Sequence, residues 1–299
     1  MTDPAEDSAD GAFAAHEYEV DARDGHVFRL LARLPAAPRR ALLWLPALGV
    51  AARHYLPFAE ALAARGIATF VHELRGNGSS NLRADRGHDW GYRELLTRDI
   101  PAGSAVIDRE LPADVPRLIG GHSLGGQLAC CRLALAPGTA DGLWLVASGA
   151  PYWRAFPRPH RLWLPFAYRF IPWLAQRRGY LPGRRIGFGG NEARSLIADW
   201  ARSAISGHYA AAGLDTDLEA GMARLALPVH AAVLVDDWLA PASSTRFLLS
   251  KLPHAPADIA RFDRARAGTA PDHYAWMKQP AAIADWLASG PAATSQPAP

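Results

Sequence analysis

Five residues near the middle of the chain, Gly121-His122-Ser123-Leu124-Gly125, restrict its fold more than any other stretch. A short apolar run, Leu118 and Ile119, leads in, and a helix-forming run from Gln127 to Leu135 leads out. The serine therefore sits on a sharp strand-to-helix turn. Such a turn forces a strained backbone on its central residue, and glycines two positions to either side remove side chains that would collide with the turn or the next strand. Ser123 is then held at a helix N-terminus, where free N–H groups and the helix dipole favour negative charge. The same pentapeptide also describes a Gly-rich helix start with a serine cap. What the rest of the chain supplies decides between the two.

A chain of 299 residues, 49% hydrophobic and 20% charged, can bury one large core. Residues 1–15 are acidic and Ala-rich, with neither a basic start nor an apolar segment, and residues 290–299 are polar; both are expected to be disordered tails rather than targeting signals. No apolar run approaches the roughly 18 residues of a membrane span, so a soluble, cytoplasmic protein without an integral membrane segment is expected. Cys130 and Cys131 are adjacent on the helix after the serine, where neighbours diverge by about 100°, so they read as buried small hydrophobes rather than a disulfide. The net charge of +3 comes almost wholly from arginine, since Lys251 and Lys278 are the only lysines, and no basic run resembles a nucleic-acid arm. The His and Cys residues lack metal-ligand spacing and the Gly-rich stretches lack a phosphate-loop lysine, so no metal, nucleotide or other cofactor is implied. Oligomeric state is not legible.

Along the chain, His16–Val20 and Val27–Leu34 flank Arg23-Asp24-Gly25 as an antiparallel hairpin. Ala41–Leu45 is a buried-strand candidate, followed by an amphipathic helix over Tyr55–Ala64 and a strand over Ile67–Val71. A helix from about Tyr92 to Leu111 contains Pro101, which should break or kink it. Beyond the serine turn, further strands are expected at Leu143–Val146, Val229–Val235 and Ala257–Phe262, and a last helix at Ala281–Leu287. Strands alternating with helices argue for a mostly parallel sheet with helices on both faces and the hairpin as its antiparallel edge. The alternation stops over 151–226, where two helices are expected, roughly Leu162–Arg178 and Glu192–Ser203. Between Pro151 and Tyr209 ten arginines face two acids, Glu192 and Asp199, a balance of +8.

With its serine turn and the stretches 41–80, 117–154 and 231–241, the chain resembles the α/β-hydrolase superfamily. That resemblance implies an α/β core of residues 16–150 and 227–289, with a helical lid, 151–226, inserted after the sixth strand. It also implies a nucleophilic Ser123, an acid after a late strand and a histidine after the last one, because a serine hydroxyl needs a base and the base needs a carboxylate to orient it. Val229–Val235 ends in Asp236-Asp237-Trp238-Leu239-Ala240-Pro241, and the family's placement of the acid four residues before a proline selects Asp237, with Asp236 as fallback. His273 is the only histidine between the last strand and the final helix. Its run, Asp272-His273-Tyr274-Ala275-Trp276, resembles the G-H-x-G-aromatic stretch of a bacterial branch of predicted hydrolases, with Asp272 and Ala275 in place of the glycines.

The oxyanion donors implied are the backbone N–H groups of Leu124 and Leu48. Pro46-Ala47-Leu48-Gly49 stands where many relatives have His-Gly, a change a backbone donor survives. His122 is expected to be structural, and His72, Glu73, Arg75 and Gly76 resemble a loop-shaping network with Glu73 for the usual Asp. His88 and Asp89 look like a loop and helix start. Trp153, Trp163 and Trp173 are expected to line an acyl pocket. The arginine excess either attracts an anionic substrate or acidic partner surface, or coats the lid. The resemblance implies hydrolysis of a small-molecule carboxylic ester or thioester. Acyl transfer by the same three residues, or a non-catalytic binding protein on this scaffold, are the competing readings.

Overall fold

The computed structural model describes residues 13–290; segments 1–12 and 291–299, assigned above to disordered tails, lie outside the described residues. In chain order the core elements are β1 (Ala14–Asp21), β2 (Val27–Leu34), β3 (Arg40–Leu45), α1 (Leu56–Ala63), β4 (Ile67–Val71), α2 (Tyr92–Glu94), α3 (Ile100–Glu110), β5 (Arg117–His122), α4 (Leu124–Leu135) and β6 (Gly142–Val146). The inserted segment carries α5 (His160–Arg178), β7 (Tyr180–Pro182), α6 (Gly183–Ile186), β8 (Asn191–Ala193), α7 (Arg194–Ser206) and α8 (Leu218–Ala223). The chain returns through β9 (Val229–Leu234), α9 (Ala242–Leu249), β10 (Ala257–Phe262), α10 (Arg264–Ala267) and α11 (Ala281–Ser289).

Eight strands form one sheet in the order β1-β2-β4-β3-β5-β6-β9-β10, antiparallel at the β1-β2-β4 edge and parallel from β4 to β10. β3 shows why the strands read as unbroken apolar runs. Successive side chains point to opposite faces, and both faces are covered: Leu42 and Trp44 join one cluster with α1, Trp276 and α11, whereas Leu43 and Leu45 join the other with α3, α4 and the inserted segment. The first strand starts at Ala14, two residues ahead of the expected His16, because Ala14 and Ala15 pair with Leu34 and Arg33.

Pro101 neither breaks nor ends its helix. Residues Leu95–Asp99 widen into a π turn between α2 and α3, and Pro101 falls in the first turn of α3, where a missing N–H is tolerated. In the inserted segment the second helix starts at Arg194 rather than Glu192, because Asn191–Ala193 pair with Tyr180–Pro182 as a two-stranded ribbon. Cys130 and Cys131 are free and buried, and burial pushes the Cys130 thiol up to about 12.

Reciprocal carboxylates dock the insertion on the core. Asp89 accepts from Ser195 N (3.0 Å) and Ser195 Oγ (2.6 Å) at the start of α7, while Asp199 within α7 accepts from Tyr92 N (2.9 Å) at the start of α2. Each thus satisfies the orphan donors of the other's helix. Lys251 closes the far end, with its ammonium 2.7 Å from Glu219 and buried against Phe247.

Candidate active site

All the sequence-predicted polar groups emerge at the carboxyl ends of parallel strands, where open α/β sheets bind ligands. Ser123 follows β5 with φ 54 and ψ −118, a strained conformation for a non-glycine residue. Two contacts hold it: Ser123 N donates to Val146 O (3.3 Å), and the single hydroxyl proton of Ser148 is shared between Ser123 O (3.0 Å) and Gly121 O (3.2 Å). Nothing in the sequence pattern marked Ser148.

After β9 the chain turns so that Asp237 is buried and Asp236 is exposed, which removes the fallback. Asp237 Oδ1 accepts from Leu239 N (2.9 Å) and Ala240 N (3.0 Å), leaving Oδ2 to accept from His273 Nδ1 at 2.7 Å. With Nδ1 carrying the proton, Nε2 holds the free lone pair. The histidine loop is fixed from both sides: Asp236 N donates to Pro271 O (3.0 Å), and Trp276 Nε1 donates to His273 O (3.1 Å). Ser123 and His273 line one cavity. Ser123 Oγ has no hydrogen-bond partner among the described residues, and such contacts often tighten only with substrate bound.

The loop after β3 is tied to the serine turn through a side chain that sequence reasoning passed over. Tyr55 OH accepts from Ala47 N (2.9 Å) and shares a hydrogen bond with His122 Nδ1 (2.8 Å). His122 is buried, packs 4.7 Å from the His273 ring, and is held neutral by burial, well below the usual imidazole range. It is a strut beside the site. Leu48 N and Leu124 N donate to no protein acceptor among the described residues, and both residues line the cavity. Gly49 has φ +74, and a Cβ there would overlap the backbone of Gly189 and Gly190 from the insertion, so only glycine lets the two loops meet. Glu73 is buried and accepts from Ala52 N (2.9 Å) and Ser79 N (3.0 Å), bracing the same loop from behind.

Like Glu73, Glu192 is a buried acid with no ion pair among the described residues. Glu192 accepts from Gly190 N (2.8 Å) on the loop above Gly49, and burial pushes its carboxyl up to about 7. The folded state therefore holds this proton more tightly than the unfolded chain. Its contribution to stability is complete below the ordinary carboxylate range and is lost as pH rises through about 7. Glu192→Gln should abolish that loss, worth on the order of 2–3 kcal/mol. In thermal unfolding from pH 5 to 8, the advantage of the variant over wild type should widen with pH; a constant difference would contradict a neutral Glu192.

The serine aminopeptidase S33 profile, of the hydrolase class, matches residues 36–265, more than three quarters of the chain. The chain belongs to this α/β-hydrolase family. No curated protein sequence matches it. Among solved structures, it superposes on DcsB in complex with its substrate analogue with a TM-score of 0.64 at 14% identity, covering 92% of this chain and 97% of that one. Est1E from Butyrivibrio proteoclasticus with ferulic acid bound gives 0.61 at 12%, covering 90% and 97%, and an open-form lipase gives 0.62 at 17%, covering 93% and 100%. At these identities the likeness is one of fold.

In this family member the cavity over Ser123 encloses about 840 Å³, part of it open to solvent. Of the three expected tryptophans only Trp163 lines it; Trp173 is on the outside and Trp153 packs against the core with Arg154 over its ring. Ten residues separate Trp163 from Trp173 on α5, and at about 100° per residue they point some 80° apart. The wall is completed by Tyr168, Phe188, Trp200, Trp238 and Tyr274.

Proposed function

We propose that the protein is a serine hydrolase cleaving a carboxylic ester or thioester through an acyl-enzyme, with residues 151–226 as the lid over the acyl site. Ser123 Oγ attacks the acyl carbon while His273 Nε2 takes its proton, and Asp237 holds the imidazole by Nδ1 and stabilises the imidazolium. The tetrahedral oxyanion accepts from Leu48 N and Leu124 N. Collapse expels the alcohol or thiol, protonated by His273, and water repeats the sequence to release the carboxylic acid.

The observation that carries the ester reading is the charge of the cavity. Apart from His273 its wall has no ionisable side chain but the tyrosines, with no Asp, Glu, Lys or Arg. A substrate with a free α-ammonium next to the scissile bond would leave that charge uncompensated in an apolar site, which is costly. A neutral acyl chain meets no such penalty. With no arginine in the wall, the reading places the insertion's positive charge outside the acyl site.

The test is a matched series: p-nitrophenyl esters of increasing acyl length, the corresponding acyl-CoA thioesters, and aminoacyl p-nitroanilides with free and blocked amino groups. Turnover of the neutral acyl substrates to free acid, with no turnover of the free-amino anilides, is expected. Preference for the free-amino anilides would overturn the reading.

A further inference from the structure

The outer face of α5 is apolar where a solvated helix should be polar. Leu162, Phe166, Phe170 and Trp173 are 62%, 75%, 53% and 52% exposed. Their spacing of four, four and three residues places them in one stripe about 17 Å long. The opposite face holds the buried contacts, Leu164, Tyr168 and Ala175. Packing of the domain already has its apolar face, so the exposed stripe is a second one. Patches of this kind mark an interaction surface.

Two further observations identify what it meets. First, the stripe runs into the cavity mouth: Trp163 and Trp238 are each nearly half exposed, lie 6.2 Å apart, and both line the cavity above Ser123. Second, the stripe is bordered by cations. Arg169, Arg177 and Arg178 are exposed on α5 itself, and Arg177 lies over the Trp173 ring at 5.4 Å. The only acids between Pro151 and Tyr209, Glu192 and Asp199, are both buried inside the insertion. Exposed Asp236 lies on the core side, in the adjoining pocket that it lines with Trp238 and Lys278.

We propose that this face lies on an anionic lipid surface, with Phe166, Phe170 and Trp173 in the interfacial layer, the arginines among the headgroups, and the cavity mouth opening toward the acyl chains. Long apolar side chains with arginines reaching past them suit a headgroup boundary. A symmetric pair of copies packed through the stripe would bring two arginine-rich surfaces together. An acidic carrier protein would account for the arginines but not for four large apolar side chains along three turns. No helix among the described residues is long and apolar enough to cross a membrane, so α5 lies on the surface rather than through it. That lipid-derived acyl groups enter here rests on the hydrolase reading; the docking itself does not.

The test uses the full chain and sedimentation with vesicles of phosphatidylcholine alone or with about 30 mol% phosphatidylglycerol. Wild type and Ser123→Ala should bind the anionic vesicles equally, and the neutral ones about tenfold or more weakly. Phe166→Ser/Phe170→Ser and Arg169→Gln/Arg177→Gln should each weaken anionic binding about tenfold or more. Both double variants should keep the wild-type Tm and the wild-type rate on a short soluble ester, because none of the four residues lines the cavity. Binding indifferent to phosphatidylglycerol or to these substitutions would overturn the proposal. So would self-association in sedimentation velocity, or capture by an acidic carrier protein, that the substitutions abolish while vesicle binding is absent. A Ser123→Ala chain that binds vesicles beside a wild type that hydrolyses no ester would overturn the hydrolase reading alone.

Discussion

Ser123→Ala should remove ester hydrolysis and fluorophosphonate labelling together, with kcat/KM falling at least about 10⁴-fold. Size of effect follows from the geometry. Ser123 is the hydroxyl held at φ 54 over a helix start, and the only histidine lining the same cavity is bonded by its other nitrogen to a buried carboxylate. If the three residues act as a unit, Asp237→Asn should cost nearly as much, about 10⁴-fold, because an amide presenting N–H to Nδ1 forces the wrong tautomer. The paired measurement separates chemistry from binding. Loss in kcat with little change in KM is expected for both variants, and both should keep the wild-type Tm within a few degrees. Equal labelling of wild type and Ser123→Ala would remove the serine from the mechanism.

Gly125→Ala should be strongly destabilising for a change of one methyl group. A Cβ at Gly125 would overlap Leu45 O and lie 2.5 Å from Leu45 C and 2.6 Å from Pro46 O. Those atoms are backbone at the end of the central strand β3, bonded on both sides, and cannot move without opening the sheet. The cost should be at least about 3 kcal/mol, read as a Tm lower by roughly 6–12 °C. Gly138→Ala is the control: Gly138 has φ +85 but nothing within 4 Å of its Cβ position, so it should lose only about 1 kcal/mol. Equal Tm losses in the two variants would contradict close approach to β3 as the reason position 125 must be glycine.

Much of this site is visible in the sequence because chemistry constrains the order in which its parts occur. A serine flanked by glycines between a strand and a helix, a carboxylate after the penultimate strand and a histidine after the last one can meet only at the carboxyl edge of a parallel sheet. The structure brings Asp237 and His273 to 2.7 Å and leaves Asp236 in solvent. What was not visible depends on phase and on non-local pairing. Trp173 was expected inside with Trp163, but helix phase separates them, although the run of α5 itself was expected to within two residues despite its two prolines. The β7–β8 ribbon is three residues long in each strand, too short to show alternation. Asp89, read as a loop residue, holds α7 from 106 positions away, and Lys251 holds the insertion from its other side. Such contacts leave no periodic trace.

One hydroxyl joins two parts of the site that the chain keeps far apart. Tyr55 accepts from Ala47, in the loop after β3, and is hydrogen-bonded to His122, next to the serine. Any displacement of α1 therefore carries both toward the same side. Their positions are coupled through that one side chain, which links Ala47 to His122. Movement there would shift the loop after β3 and the serine turn together rather than spread them apart.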